Sequence, residues 1–80
     1  MPTLYIRTGC PYCAKVLQEA QTMGIECELK NIADPAVAAE LVARGGKQQV
    51  PYLVDTEHGV EMYESDAIIA HLHATFTLKA

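Results

Sequence analysis

Eighty residues, half of them hydrophobic, suffice for one compact domain, expected to span 1–80, and leave no room for a second core. A formal net charge of -4, with only six Lys and Arg scattered along the chain, excludes a phosphate-tracking nucleic-acid surface, and three cysteines do not make the disulfide framework of a small secreted protein. No run approaches the roughly 20 apolar residues of a membrane helix, and Met1-Pro2-Thr3 leads into a strand-like segment rather than a signal peptide, so a cytoplasmic protein without membrane partners is expected.

In chain order, Thr3-Leu4-Tyr5-Ile6-Arg7 is short, β-branched and aromatic, as a central strand would be. Pro11 suits a first helical turn, where a missing N–H costs little, and Val16, Leu17, Ala20 and Met23 recur at helical spacing until Gly24. From Ile25 to Lys30 apolar and charged residues alternate strictly, which predicts a strand burying Ile25, Cys27 and Leu29. Asp34-Pro35 reads as N-cap and first residue of a helix whose stripe is Val37, Ala38, Leu41 and Val42, ended by Gly45-Gly46. Val50 to Val54 and Val60 to Tyr63 flank the Asp55–Gly59 turn as a hairpin, and a last helix from about Ser65 buries Ile68, Ile69, Leu72 and Phe76. The order βαβαββα implies an α/β fold, a mixed four-stranded sheet with packed helices, for which a thioredoxin-like architecture is the simplest fit.

Cys10 falls where the first strand gives way to the first helix, so its sulfur is expected to be exposed near free backbone N–H groups and the positive end of the helix dipole. That position favours thiolate. Cys13, one turn later, is within reach for a disulfide, Pro11 stiffens the turn, and Arg7 and Lys15 add positive charge. A thiol pKa lowered from about 8.5 to about 5 raises the thiolate fraction roughly 30-fold at neutral pH, but nucleophilicity falls by a similar factor. The gain is in leaving-group quality, so a mixed disulfide on Cys10 is readily resolved. A zinc half-site would need about four ligands, and the other candidates, Cys27, His58, His71 and His73, fall in no paired spacing. No metal is expected. Cys27 reads as an inert core thiol, His71 and His73 as helix surface, and His58 as turn polarity.

With Cys10-Pro11-Tyr12-Cys13, Arg7 three positions before the first cysteine and a downstream Val50-Pro51, the chain resembles the glutaredoxin family over nearly its whole length. In that family the proline is cis. The resemblance implies a monomeric glutathione-dependent thiol-disulfide oxidoreductase acting on glutathionylated or disulfide-containing proteins, with catalytic Cys10 and Cys13, glutathione as co-substrate and no permanently bound cofactor. Glutathione would lie beside Cys10 as an added strand on the backbone of Val50, with Pro51 ending strand pairing there. Arg7, Lys47 and Gln49 would meet its glycyl carboxylate, Tyr12 would cover the sulfur pair, and Ser65 and Asp66 would take its γ-glutamyl end.

Gln49 stands where glutaredoxins usually carry Thr, and Met62-Tyr63-Glu64 replaces their Gly-Gly pair. Glu64-Ser65-Asp66-Ala67-Ile68 looks more like the N-terminal domain of glutathione transferases, which implies that Glu64 shares the γ-glutamyl contacts; a complete two-domain transferase is not expected from this length. Two rival readings keep the same pair of cysteines: a thioredoxin-like electron donor reduced by a flavoprotein reductase, and an iron-sulfur scaffold with Cys10 as a cluster ligand.

Overall fold

A computed structural model describes residues 1–76. The elements follow the expected order: β1 (Thr3–Ile6), α1 (Pro11–Thr22), β2 (Glu28–Asn31), α2 (Pro35–Gly45), β3 (Tyr52–Asp55), β4 (Val60–Tyr63) and α3 (Ser65–Thr75). The last four residues of the expected domain, 77–80, lie outside this description. The strands form one mixed sheet in the order β2-β1-β3-β4, with β1 and β2 parallel and the other neighbours antiparallel. This is the thioredoxin-like α/β fold. Among the described residues no helix is long and apolar enough to cross a membrane.

Alternation along the central strands sends side chains to two separate cores. On one face Leu4 and Leu53 meet Val16, Ala20 and Met23 of the α1 segment and Ile68 and Leu72 of α3. On the other, Tyr5, Tyr52 and Val54 meet Leu41 of α2. The helices therefore cover both faces, and every residue of β3 is buried.

Local signals place the helix ends. Asp34 caps α2, its Oδ1 accepting from the N–H of Ala36 at 2.9 Å, and Pro35 occupies the first turn. Gly46 ends α2 with a left-handed φ of 87° and its N–H bonded to Val42 O, a conformation that costs a residue with a Cβ far more than glycine.

Four expectations need correction. β2 starts at Glu28, not Ile25, because β1 starts only at its partner Thr3; Ile25 and Cys27 precede the ladder but still pack on the first core. Leu29 is 51% exposed, since β2 is the edge strand and the helices cover the sheet further in. Val42 is 41% exposed, because α2 buries the narrow stripe through Leu41 and the next residue is turned about 100° away. His71 is not solvated surface: its Nε2 lies 2.9 Å from Oδ2 of buried Asp55, and the same oxygen meets His58 Nδ1 at 2.8 Å.

A row of tyrosines crosses the α2 face of the sheet. Strand register sets Tyr5 beside Tyr52 and Tyr52 beside Tyr63, with ring centroids 6.0 and 4.4 Å apart. Their hydroxyls donate in turn to Glu40, to Glu61 Oε1 at 2.6 Å and to the Lys47 carbonyl at 2.8 Å. Burial, and then the bond to a carboxylate, pushes both Tyr5 and Tyr52 up to about 12, so both phenols stay neutral donors.

Candidate active site

The first strand delivers the chain to Arg7, and Gly9, with a φ of 83°, turns it into α1. Cys10 is the N-cap, in extended conformation with φ -84° and ψ 115°. Its Sγ accepts from the N–H of Cys13 at 3.3 Å, taking the place of the Ser or Asp oxygen that usually satisfies such a donor. Pro11 follows at the first helical position. Within one turn the fold thus places two reduced thiols side by side, one of them at the positive end of a 12-residue helix.

Electrostatics then separate the pair. Burial pushes the Cys10 thiol up, but hydrogen bonds from the Cys13 side chain and from the backbone of Cys13 and Tyr12, together with the Arg7 charge, hold it below the ordinary cysteine range. Cys13 goes the other way, to about 11, first through burial and then because it donates to Cys10 and faces its charge. Of the two thiols, Cys10 is therefore the one more readily ionised and Cys13 the one that keeps its proton. Arg7 is the charge that acts on Cys10; the Lys15 ammonium pairs with Asp66 Oδ1 at 3.0 Å. Cys10 is not openly exposed, at 6% against 2% for Cys13, because the sulfur is tucked against the helix that caps on it.

Two clefts share a wall near the start of α1; neither cysteine lines them, but Arg7 lines one and Tyr12, between the cysteines, lines the other. One, of about 220 Å³, is lined by Tyr12, Gln49, Val50, Pro51 and the α3 start Glu64-Ser65-Asp66. The other, of about 370 Å³, is lined by Arg7, Ile32, Ala33, Gln48, Gln49 and Val50. Gln49 and Val50 form the shared wall, and the peptide bond from Val50 to Pro51 is cis. Of the residues singled out from the sequence, eight line one cleft or the other. Lys47 lines neither; its Nζ sits 5.7 Å above the centre of the Tyr63 ring. Tyr12, 63% exposed, lines the smaller cleft.

The start of α3 has an open terminus. Glu64 is its N-cap, with a φ of 76° that is uncommon for a side-chain-bearing residue, and makes no side-chain capping bond. Ser65, buried at the first helical position, is therefore not a cap. Glu64, Ser65 and Asp66 of this uncapped turn line the smaller cleft, and first-turn N–H groups without a side-chain acceptor are the donors that an anionic ligand group requires. Ile32, Ala33 and Gln48 were not singled out from the sequence; only the adjacency of Gln48 to Gln49 hinted at one of them. Among the described residues no group of three or more His, Cys, Asp or Glu is arranged to hold a metal ion.

Residues 4–80 match the model of the glutathione S-transferase N-terminal domain. Solved structures agree. A glutathione S-transferase from the Antarctic clam Laternula elliptica is 28% identical, with a TM-score of 0.79 over 94% of this chain and 35% of that one. Glutathione S-transferase 1-6 from Anopheles dirus species B is 29% identical, also with a TM-score of 0.79, over 96% of this chain and 37% of that one. Glutathione transferase Omega 3C from Trametes versicolor, 23% identical over 94% of this chain and 33% of that one, shares the fold with a TM-score of 0.82. The chain spans roughly a third of the length of these structures. No curated protein matches. The matches thus favour the transferase resemblance carried by Glu64-Ser65 over the glutaredoxin one, within one common fold.

Proposed function

The chain belongs to the glutathione S-transferase N-terminal domain family, and from its pair of thiols we propose that it is a glutathione-dependent thiol-disulfide oxidoreductase working through Cys10 and Cys13. The observation that carries the reading is the pair itself: a lowered thiol at the α1 N-cap, hydrogen-bonded to a second thiol raised to about 11, beside a cleft with an open helix terminus. A thiolate poised as a leaving group suits disulfide exchange. In this reading the backbone of Val50, preceding Pro51, pairs with glutathione; Glu64, Ser65 and Asp66 take its γ-glutamyl end, and Arg7, Lys47 and Gln49 its glycyl carboxylate, with Tyr12 at the rim.

The Cys10 thiolate attacks the glutathionyl sulfur of a mixed disulfide. The S–S bond breaks, the substrate leaves as a thiolate that takes up a proton, and Cys10 carries glutathione. A second glutathione thiolate attacks that adduct, releasing oxidised glutathione and restoring Cys10. With a protein disulfide, Cys13 attacks the Cys10 adduct, releases the protein thiol and leaves a Cys10–Cys13 disulfide for two glutathiones to reduce. Adduct formation also prepares Cys13: once Cys10 is neutral, its charge and its hydrogen bond no longer raise the Cys13 pKa.

A second reading, conjugation of glutathione to an electrophile, is favoured by the family and by the names of its structural neighbours. Two assays on the same preparation separate them: glutathione-coupled reduction of a small mixed disulfide, and conjugation of glutathione to an activated aryl chloride. Disulfide turnover that vanishes in Cys10→Ser supports the oxidoreductase. Conjugation surviving that change, with no disulfide turnover in the parent protein, replaces it with the transferase.

A further inference from the structure

We propose that Tyr63 is a positioning residue for glutathione, tying together the two walls of the cleft; this rests on the glutathione site proposed above. Tyr63 ends β4, and the next residues, Glu64 and Ser65, form one wall. Its hydroxyl reaches the stretch that leads into the opposite wall, donating to the Lys47 carbonyl at 2.8 Å and accepting from the Lys47 N–H at 3.1 Å. Lys47 belongs to the stretch between α2 and β3, outside any helix or strand, that leads through Gln49 to Val50. Without regular structure that stretch has no ladder to set its path. Two bonds from one hydroxyl to both backbone groups of one residue supply the fixed point two and three positions before the residues that line both clefts.

The ring is itself held. Tyr52 packs against it with ring centroids 4.4 Å apart and planes tilted by 45°, and the Lys47 ammonium lies over it at 5.7 Å. It also lies against Gly45 at the end of α2, where an added Cβ would come 2.2 Å from the hydroxyl oxygen and 2.8 Å from the ring carbon bearing it. Glycine at 45 thus admits the tyrosine, and the tyrosine admits only one course for the chain that follows. A ring serving merely as core filling would need neither its hydroxyl nor this close approach.

The test compares Tyr63→Phe, which keeps the ring and removes the oxygen, with Tyr52→Phe, which removes a neighbouring hydroxyl bonded to Glu61 and not to the loop. Tyr63→Phe is expected to speed amide hydrogen exchange at 47–50 in the ligand-free protein and to raise the KM for glutathione about threefold to tenfold, as for one or two lost hydrogen bonds. The kcat and the pH titration of Cys10 should stay as in the parent, and Tyr52→Phe should move neither the loop exchange nor the KM. Unchanged exchange at 47–50 in Tyr63→Phe overturns the tie whether or not glutathione is the ligand. A parent enzyme that uses glutathione beside a Tyr63→Phe variant of unchanged KM overturns the role of Tyr63 alone. A parent without glutathione turnover overturns the proposed function and this inference with it.

Discussion

The N–H of Cys13 points at the Sγ of Cys10 across 3.3 Å, so the helical turn that brings the second thiol into range also stabilises the first as an anion. The two thiols share one local element. Burial of Cys13 does most to separate them in acidity, and the hydrogen bond between the two thiols adds to it.

Alkylation of Cys10 by iodoacetamide is expected to titrate below the about 8.5 of a free thiol, with Cys13 following only near about 11. Activity should therefore fall as pH drops through the lowered Cys10 value. Cys10→Ser should abolish thiol-disulfide turnover. Substantial residual turnover in that variant would assign the nucleophile elsewhere.

Cys13→Ser is expected to keep most activity on a glutathione mixed disulfide, because a second glutathione can attack the Cys10 adduct directly. It should accumulate that adduct, visible by mass spectrometry, and lose reduction of protein disulfides, which depends on the second thiol. Loss of both activities together would favour a thioredoxin-like donor over the glutathione-centred mechanism.

Replacing Ser65 and Asp66 together by Ala should weaken glutathione use by about tenfold, the scale of one lost charge-assisted hydrogen bond. The Cys10 titration should not move, since neither residue is among the groups acting on that sulfur. Steady-state kinetics with varied glutathione, run beside the alkylation titration, check both halves. An unchanged KM would remove these residues from the site.

Asp55→Asn should destabilise the fold by about 1–3 kcal/mol at pH 7, because a buried carboxylate loses the bonds that His58 and His71 share with it. Burial pushes Asp55 up, but those two hydrogen bonds hold it below the usual carboxylate value. With the folded-state pKa below the unfolded one, its contribution is full above about pH 3.9 and is lost as pH falls through the folded value. Urea unfolding at pH 7 and again below pH 4 should show the gap between parent and variant closing in acid. A gap of constant size would mean that the carboxylate charge contributes nothing.

The order of elements, the cap and proline at the start of α2, and the two cysteines astride the start of α1 were all legible in the amino-acid sequence. Each depends on residues within about one helical turn or one strand pleat of one another, so period and capping chemistry suffice. The cleft residues were found through resemblance to known glutathione proteins, which Val50-Pro51 and Glu64-Ser65 carry. Strand order decided the rest. Only the arrangement β2-β1-β3-β4 leaves Leu29 on an uncovered edge and aligns Tyr5, Tyr52 and Tyr63 across three strands. It took tertiary packing to bring His71 of α3 onto Asp55 and Tyr63 onto Lys47, since those pairs are remote in the chain and neither side chain carries a local signal for its partner.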